Sequence, residues 1–280
     1  MTLEEWLRKG EAQLRLGPHP ERARRDAEAL LLHVVRRERA ALLARWNEVL
    51  EAEEAGPYTA LIERRLEGEP MQYIFGETEF YGLPFQVTRD VLIPRPETEH
   101  LVEKALEFAA GFAAPRIVDV GAGSGAIAVA LAHELPQAIV TAIDLSSPAL
   151  AVARENAQRN GVDLRFLRGD LLAPVAGERF EMVVSNPPYV PGGDRDALAV
   201  EVREFEPPLA LFAGDDGLEV YRRLIPAAFA ALVPSGFVAL EIGFGQSPAI
   251  AELLAASGFA QIEFVPDLQG IPRVACARRP

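Results

Sequence analysis

The chain has 280 residues, enough for one large domain or two modest ones, and its 49% hydrophobic and 25% charged residues are those of an ordinary globular protein rather than a disordered one. Its 41 acidic against 28 basic residues give a formal net charge of -13, which disfavours a protein that grips nucleic acid through phosphates. Cys276 is the only cysteine, which excludes an intramolecular disulfide and an all-cysteine metal site and fits a reducing cytoplasm.

The opening segment is too charged for a secretory signal, and no apolar run is long enough to cross a bilayer, so no membrane association is expected. Over residues 1–68, apolar side chains recur at three-to-four spacing: Leu3, Trp6 and Leu7, then Ala27, Leu30, Leu31, Val34 and Val35, then Leu42, Leu43 and Trp46. This pattern predicts a small helical bundle, with breaks at Gly17-Pro18 and at Gly56-Pro57, where a further helix through Leu66 should begin. Residues 69–95 change to short aromatic and β-branched runs (Tyr73-Ile74-Phe75, Phe80-Tyr81, Phe85 to Thr88), the signature of a β-hairpin linker. Thr98 is placed to cap a helix running to Ala110.

Residues 96–280 then alternate strands with helices, the sequence form of an α/β layer around a mainly parallel sheet. Seven strands are expected, at residues 116–120, 138–143, 164–167, 181–185, 236–242, 261–265 and 273–277. The last two are too close for a helical crossover and should pair antiparallel.

Two stretches carry chemistry. Val118-Asp119-Val120 runs into Gly121-Ala122-Gly123-Ser124-Gly125 and a following helix, so the glycines occupy the turn where backbone can approach a nucleoside cofactor. Asp144 ends the next strand, placed to accept from two ribose hydroxyls, and Asp119 should face the same ligand. Asp170 and Leu171 follow the third strand, where an acid can accept from an adenine amino group and an apolar side chain can cover the ring. The glycine spacing alone suits a nicotinamide dinucleotide as well as S-adenosylmethionine.

The second stretch, Asn186-Pro187-Pro188-Tyr189, closes the fourth strand. Two prolines stiffen the turn and remove two donors, leaving the Asn186 side-chain oxygen and the Pro187 carbonyl as acceptors beside the Tyr189 ring. Such a corner suits a planar NH2 group, on an amide or a nucleobase, held by both hydrogens so that its nitrogen lone pair is aimed at an electrophile. None of the four histidines is placed as a proton donor for hydride transfer, and none forms a metal-ligand spacing with the cysteine, so no metal is expected.

Taken in order, VDVGAGSG, Asp144, Gly169-Asp170 and Asn-Pro-Pro-Tyr resemble an N-methyltransferase using S-adenosylmethionine, and the reversed last strand fits that class better than a dinucleotide-binding sheet. The tetrapeptide by itself is also similar to that of adenine-amino methylases, a reading opposed by the acidic excess that persists over residues 96–280. Phe80 to Phe85, the run Leu92 to Glu99 and Phe205-Glu206-Pro207 resemble the HemK/PrmC family across essentially the whole chain. The resemblance implies a seven-stranded Rossmann-like class I methyltransferase fold behind the helical domain. It implies methylation of the glutamine amide in the GGQ motif of class 1 peptide chain release factors. It implies that Gly121 to Gly125, Asp144, Leu171 and Asn186 line the S-adenosylmethionine site, where Asp170 is also expected, and that Asn186 to Tyr189 hold the glutamine. The helical domain is expected to help dock the large protein substrate. A monomer without stably bound nucleic acid is expected.

Overall fold

The computed structural model describes residues 1–37 and 39–280; the side chains of residues 41–43 are left aside, so Leu42 and Leu43, expected in the helical core, lie outside the described residues. The chain divides into two units, one of residues 1–76 with 199–205, the other of residues 77–198 with 206–280.

The first unit is helical. Thr2 and Glu5 form a capping box that opens the helix Leu3–Leu14, because side-chain oxygens here satisfy backbone N–H groups that the first turn leaves without partners. Leu7, Leu30, Leu31, Tyr58 and Ile62 come together from the helices Leu3–Leu14, Ala23–Val35 and Ala52–Leu66 as its core. The last of these helices starts earlier than Gly56-Pro57, because a second capping box at Glu51 and Glu54 nucleates it upstream. Arg65 is buried within the unit, where its Nε donates to Asp26 at 2.7 Å and its Nη1 to Glu201 at 2.5 Å and to the Glu69 carbonyl at 3.0 Å. Burial of the cation is tolerated because two carboxylates compensate it. Tyr73-Ile74-Phe75, read from sequence as part of an extended run, lies in the short helix Met71–Phe75, where Ile74 and Phe75 pack on this helical core.

The boundary between the units also differs from the expected linker: residues 69–76 belong to the first unit and residues 77–95 to the second. The hairpin strands β1 (Glu77–Phe80) and β2 (Leu83–Gln86) pair antiparallel, and Phe80 and Phe85 are buried in the core of the second unit with Leu101 and Val102. Aromatic burial of this size makes the hairpin part of a domain rather than a tether.

The remaining strands are β3 (Arg116–Val120), β4 (Ile139–Asp144), β5 (Arg165–Arg168), β6 (Phe180–Ser185), β7 (Leu232–Glu241), β8 (Ala260–Pro266) and β9 (Pro272–Arg278). They form one sheet in the order β5-β4-β3-β6-β7-β9-β8. The first five run parallel, and β9 lies antiparallel between β7 and β8, as the short connection between the last two strands requires. Alternate side chains of β3 feed opposite cores, Ile117 to one face and Val118 and Val120 to the other.

After β3 the chain steps outward to β4 and β5 and then returns to place β6 on the other side of β3. Such a reversal leaves a crevice at the carboxyl ends of the two central strands. The end of β6 is tied to the end of β3, with Ser185 Oγ donating to the Val120 carbonyl at 2.5 Å.

Asn156, on the helix Ser147–Arg159, is fully buried and joins the hairpin to the crevice. Its Nδ2 donates to the carbonyls of Gln86 and Ser124, both at 2.9 Å, and its Oδ1 accepts from the Gln86 N–H at 2.6 Å. Asn156→Ala should therefore cost about 2–4 kcal/mol, since it strands buried backbone groups on both segments. Denaturant unfolding checks this, and a midpoint shift equivalent to a surface substitution would contradict it.

Candidate active site

The crevice opens into a cavity whose wall includes the loop from Gly121 to Ser124 after β3, Asp144 at the end of β4, Asp170 and Leu171 after β5, and Asn186 and Pro188 after β6. Four strand ends thus deliver the residues singled out in the sequence to one place. Gly125, Pro187 and Tyr189 do not border the cavity; Gly125 and Pro187 are buried beneath it.

Glycine is required in the loop for two reasons. Gly123 has φ +55, and a side chain added there would meet no protein atom within 4 Å, so its absence leaves room along the cavity wall. Gly125 has φ +82 at the start of the helix Ala126–Glu134, and a Cβ there would sit 3.1 Å from that of Ala153. Asp144 pins this loop: Oδ2 accepts from the Gly123 N–H and Oδ1 from the Ser146 N–H, both at 2.8 Å. Each carboxylate oxygen retains a second acceptor site, so Asp144 can hold the loop and still accept from two hydroxyls of a ligand. Burial pushes its carboxyl above the usual range, opposed by these N–H groups.

Leu171 has φ +49, a left-handed conformation that a γ-branched residue adopts at a cost of about 1 kcal/mol. It borders the cavity and packs partly against the core on the Val118 face. Asp170 is exposed and paired with Arg223, which borders the same cavity.

Asp119 departs from expectation. It is fully buried and forms no part of the cavity wall, because β3 alternation turns it to the Ile117 face under the helix Ala126–Glu134. The Ala128 N–H faces its carboxyl but without full hydrogen-bond geometry, and neither oxygen has another partner among the described residues. Burial pushes its carboxyl up to about 7, with the Asp144 charge adding to the rise and the Ala128 N–H opposing it.

At the end of β6, Asn186 Nδ2 donates to Thr98 Oγ1 at 3.2 Å, and Thr98 Oγ1 donates to Glu241 Oε2 at 2.5 Å. Thr98 therefore makes no side-chain cap for the helix Glu99–Ala109, contrary to the sequence expectation; its hydroxyl is turned into the fold. Glu241 is the last residue of β7, buried, with its Oε1 accepting from Tyr189 at 3.4 Å and its main-chain carbonyl from Tyr221 at 2.6 Å. Burial, with the Glu97 charge reinforcing it, raises the Glu241 carboxyl to about 7 against the pull of Thr98, Tyr189 and Arg273. Thr98 lies in the run Leu92 to Glu99 that carries part of the family resemblance, but its side chain is expected there only to cap the helix; Glu241 has no signal in the sequence, since it sits in no motif. Nearby, Arg95 Nη2 donates to both oxygens of buried Glu206 at 2.7 and 2.6 Å, and Glu99 accepts from the Tyr81 N–H at 2.8 Å. Those pairs fix the segment carrying Pro94 and Thr98, which both border the cavity.

The open loop at Gly123 and the spare acceptor sites of Asp144 fit the nucleoside end of S-adenosylmethionine, and the free Asn186 oxygen fits an NH2 donor. An aspartate in the unfolded chain ionises near 4, whereas Asp119 in the folded chain holds its proton to about 7. Native stability thus falls as pH rises across that window and levels off above it. Asp119→Asn should remove this slope and gain on the parent chain between pH 5 and pH 8 by on the order of a few kcal/mol. Parallel unfolding curves at both pH values would contradict the assignment.

The chain is similar to known proteins along its whole length. Residues 98–203 match the family model described as Methyltransferase small domain, and residues 5–76 match the PrmC N-terminal domain. A release factor glutamine methyltransferase of Moorella thermoacetica is 45% identical, covering 100% of this chain and 99% of its own. Another, of Deinococcus radiodurans, is 44% identical with the same coverage. Among solved structures, a methyltransferase from Pyrococcus furiosus superposes with a TM-score of 0.52 at 19% identity, over 71% of this chain and 90% of that one.

Proposed function

The chain belongs to the release factor glutamine methyltransferases, and on that footing we propose that Asn186 and Pro187 hold the acceptor amide while Gly121 to Gly125, Asp144, Asp170 and Leu171 hold the cofactor. The reaction is transfer of a methyl group from S-adenosylmethionine to a glutamine side chain of a release factor. When bound, S-adenosylmethionine supplies a methyl carbon on a positively charged sulfur, a strong leaving group, so no covalent enzyme nucleophile is required.

The difficulty lies with the acceptor, because an amide nitrogen shares its lone pair with its carbonyl. Asn186 donates through Nδ2 to Thr98, which leaves Oδ1 to accept one N–H of the glutamine. Pro187 is buried and does not line the cavity, so its carbonyl is proposed to take the other N–H only as the glutamine reaches past Asn186 and Pro188; the proline ring keeps that short turn stiff. Two fixed acceptors direct both N–H bonds, favour a pyramidal nitrogen and stabilise the positive charge it gains, more in the transition state than in the ground state. Tyr189, expected as the flat wall beside the amide, does not border the cavity, its hydroxyl being turned to Glu241, and the apolar surface beside the amide is assigned to Pro188 instead.

The observation that carries this reading is the juxtaposition of an acceptor-rich, proline-stiffened strand end with the glycine loop, the two joined through Ser185 and Val120. The glutamine is assigned to the GGQ motif of class 1 release factors and the work to the cytoplasm, with residues 1–76 as the surface that engages the folded factor. No described helix is long and apolar enough to cross a membrane.

Incubation with a class 1 release factor and S-adenosylmethionine, followed by peptide mass spectrometry, should show one CH2 group added to the GGQ glutamine. Label appearing on another residue, or on RNA alone, would contradict the reading. Asn186→Ala should lower turnover by about 100-fold or more, in the range seen when one preorganised hydrogen-bond group is removed, while cofactor affinity holds within about threefold. Asp144→Ala should do the reverse, weakening cofactor binding by about 1.5–3 kcal/mol, and an unchanged dissociation constant would remove Asp144 from the site.

A further inference from the structure

A carboxamide fits the same space in two ways, related by a half-turn, and only one of them presents an acceptor to the cavity. If Asn186 turned its NH2 group toward the substrate, two donors would face each other and the amide could not be held. Nothing in the Asn186 side chain itself chooses between these states.

The choice is made one residue away. Thr98 is buried, and its hydroxyl carries a single proton. Above about pH 7, where the Glu241 carboxyl is ionised and can only accept, that proton lies on the 2.5 Å bond to Glu241 Oε2. Toward Asn186 the Thr98 oxygen therefore offers lone pairs alone, and the group facing it at 3.2 Å must be NH2. Glu241 is itself held by its neighbours. Its backbone is fixed in β7 and by the Tyr221 hydroxyl, and its second oxygen accepts from Tyr189, within the same turn that holds Asn186.

We propose that Thr98 is a positioning residue of the methyl transfer, its hydroxyl polarised by Glu241 so that Asn186 is locked with Oδ1 toward the acceptor amide. This inference rests on the role given to Asn186 above, but it adds residues from two other segments, the turn before the helix Glu99–Ala109 and the end of β7. It assigns Thr98 a function that a helix cap or a packing residue would not have. It also explains why a carboxylate is kept at a buried strand end: a neutral acceptor there would hold the hydroxyl proton less firmly.

Thr98→Val and Thr98→Ser test it, assayed by single-turnover methyl transfer to a full-length release factor at pH 8.5, with S-adenosylhomocysteine affinity measured in parallel. In Thr98→Val the NH2 of Asn186 loses its buried acceptor and turns to the water of the cavity, so transfer should fall by about 10- to 30-fold. S-adenosylhomocysteine should bind within about threefold of the parent chain in both variants, and Thr98→Ser, which keeps the hydroxyl, should recover the rate to within about threefold. Three outcomes would overturn the proposal: a Thr98→Val rate within threefold of the parent, a Thr98→Ser rate as low as that of valine, or a loss of S-adenosylhomocysteine affinity in step with the rate. If Asn186→Ala loses turnover while Thr98→Val does not, the proposal fails and the role of Asn186 stands. If Asn186→Ala keeps turnover, both fail together.

Discussion

Parallel pairing of β3 with β6 is the constraint on which the site depends. The two strands meet where the chain reverses its direction across the sheet, so the loops that leave them must diverge and open a crevice. One of these loops is glycine-rich and lets a ligand approach backbone; the other is stiffened by two prolines and offers acceptors. The hydrogen bond from Ser185 to the Val120 carbonyl joins their roots, so cofactor loop and acceptor corner are set by the same register. A slip of one residue in this pair would turn Ser185 to the opposite face and carry Asn186 away from the cavity.

The polar groups beneath the site explain how such a corner keeps its shape. Asn156 ties the hairpin to the glycine loop, Asp144 ties that loop to the helix Ser147–Arg159, and Glu241 ties Thr98 to the end of β7. Each is a group that burial alone would disfavour, compensated by neighbours that fix its direction. Preorganised acceptors suit a reaction whose enzyme contribution is alignment and charge stabilisation, since they need no rearrangement as the nitrogen becomes positive. Asp119 is the exception, a buried carboxylate held near neutrality rather than compensated.

Much of this architecture was legible in the sequence. The seven strands and the antiparallel last pair followed from apolar runs and from the length of chain between them, and the glycine loop and Asn-Pro-Pro-Tyr declared themselves by residue type and position. What escaped reading depends on contacts distant in sequence. Thr98 looks like a cap because capping is local, but its hydroxyl is claimed by Glu241, far along the chain. Asp119 looks like a ligand-facing acid because it precedes the glycines, but strand alternation buries it on the other face. Tyr73 to Phe75 has strand-like composition but forms a helix whose residues fill the helical core. The assignment of residues 199–205 to the first unit, with Glu201 paired to buried Arg65, had no local signal at all.

The central claim is that an asparagine oxygen and a proline carbonyl at one strand end grip the NH2 group that is methylated. A crystal structure with S-adenosylhomocysteine and a peptide carrying the GGQ sequence tests it most directly. The account predicts the glutamine Nε2 within hydrogen-bond distance of both Asn186 Oδ1 and the Pro187 carbonyl, with the sulfur on its open side. A glutamine amide bound elsewhere, or Asn186 turned with its NH2 toward the peptide, would contradict it.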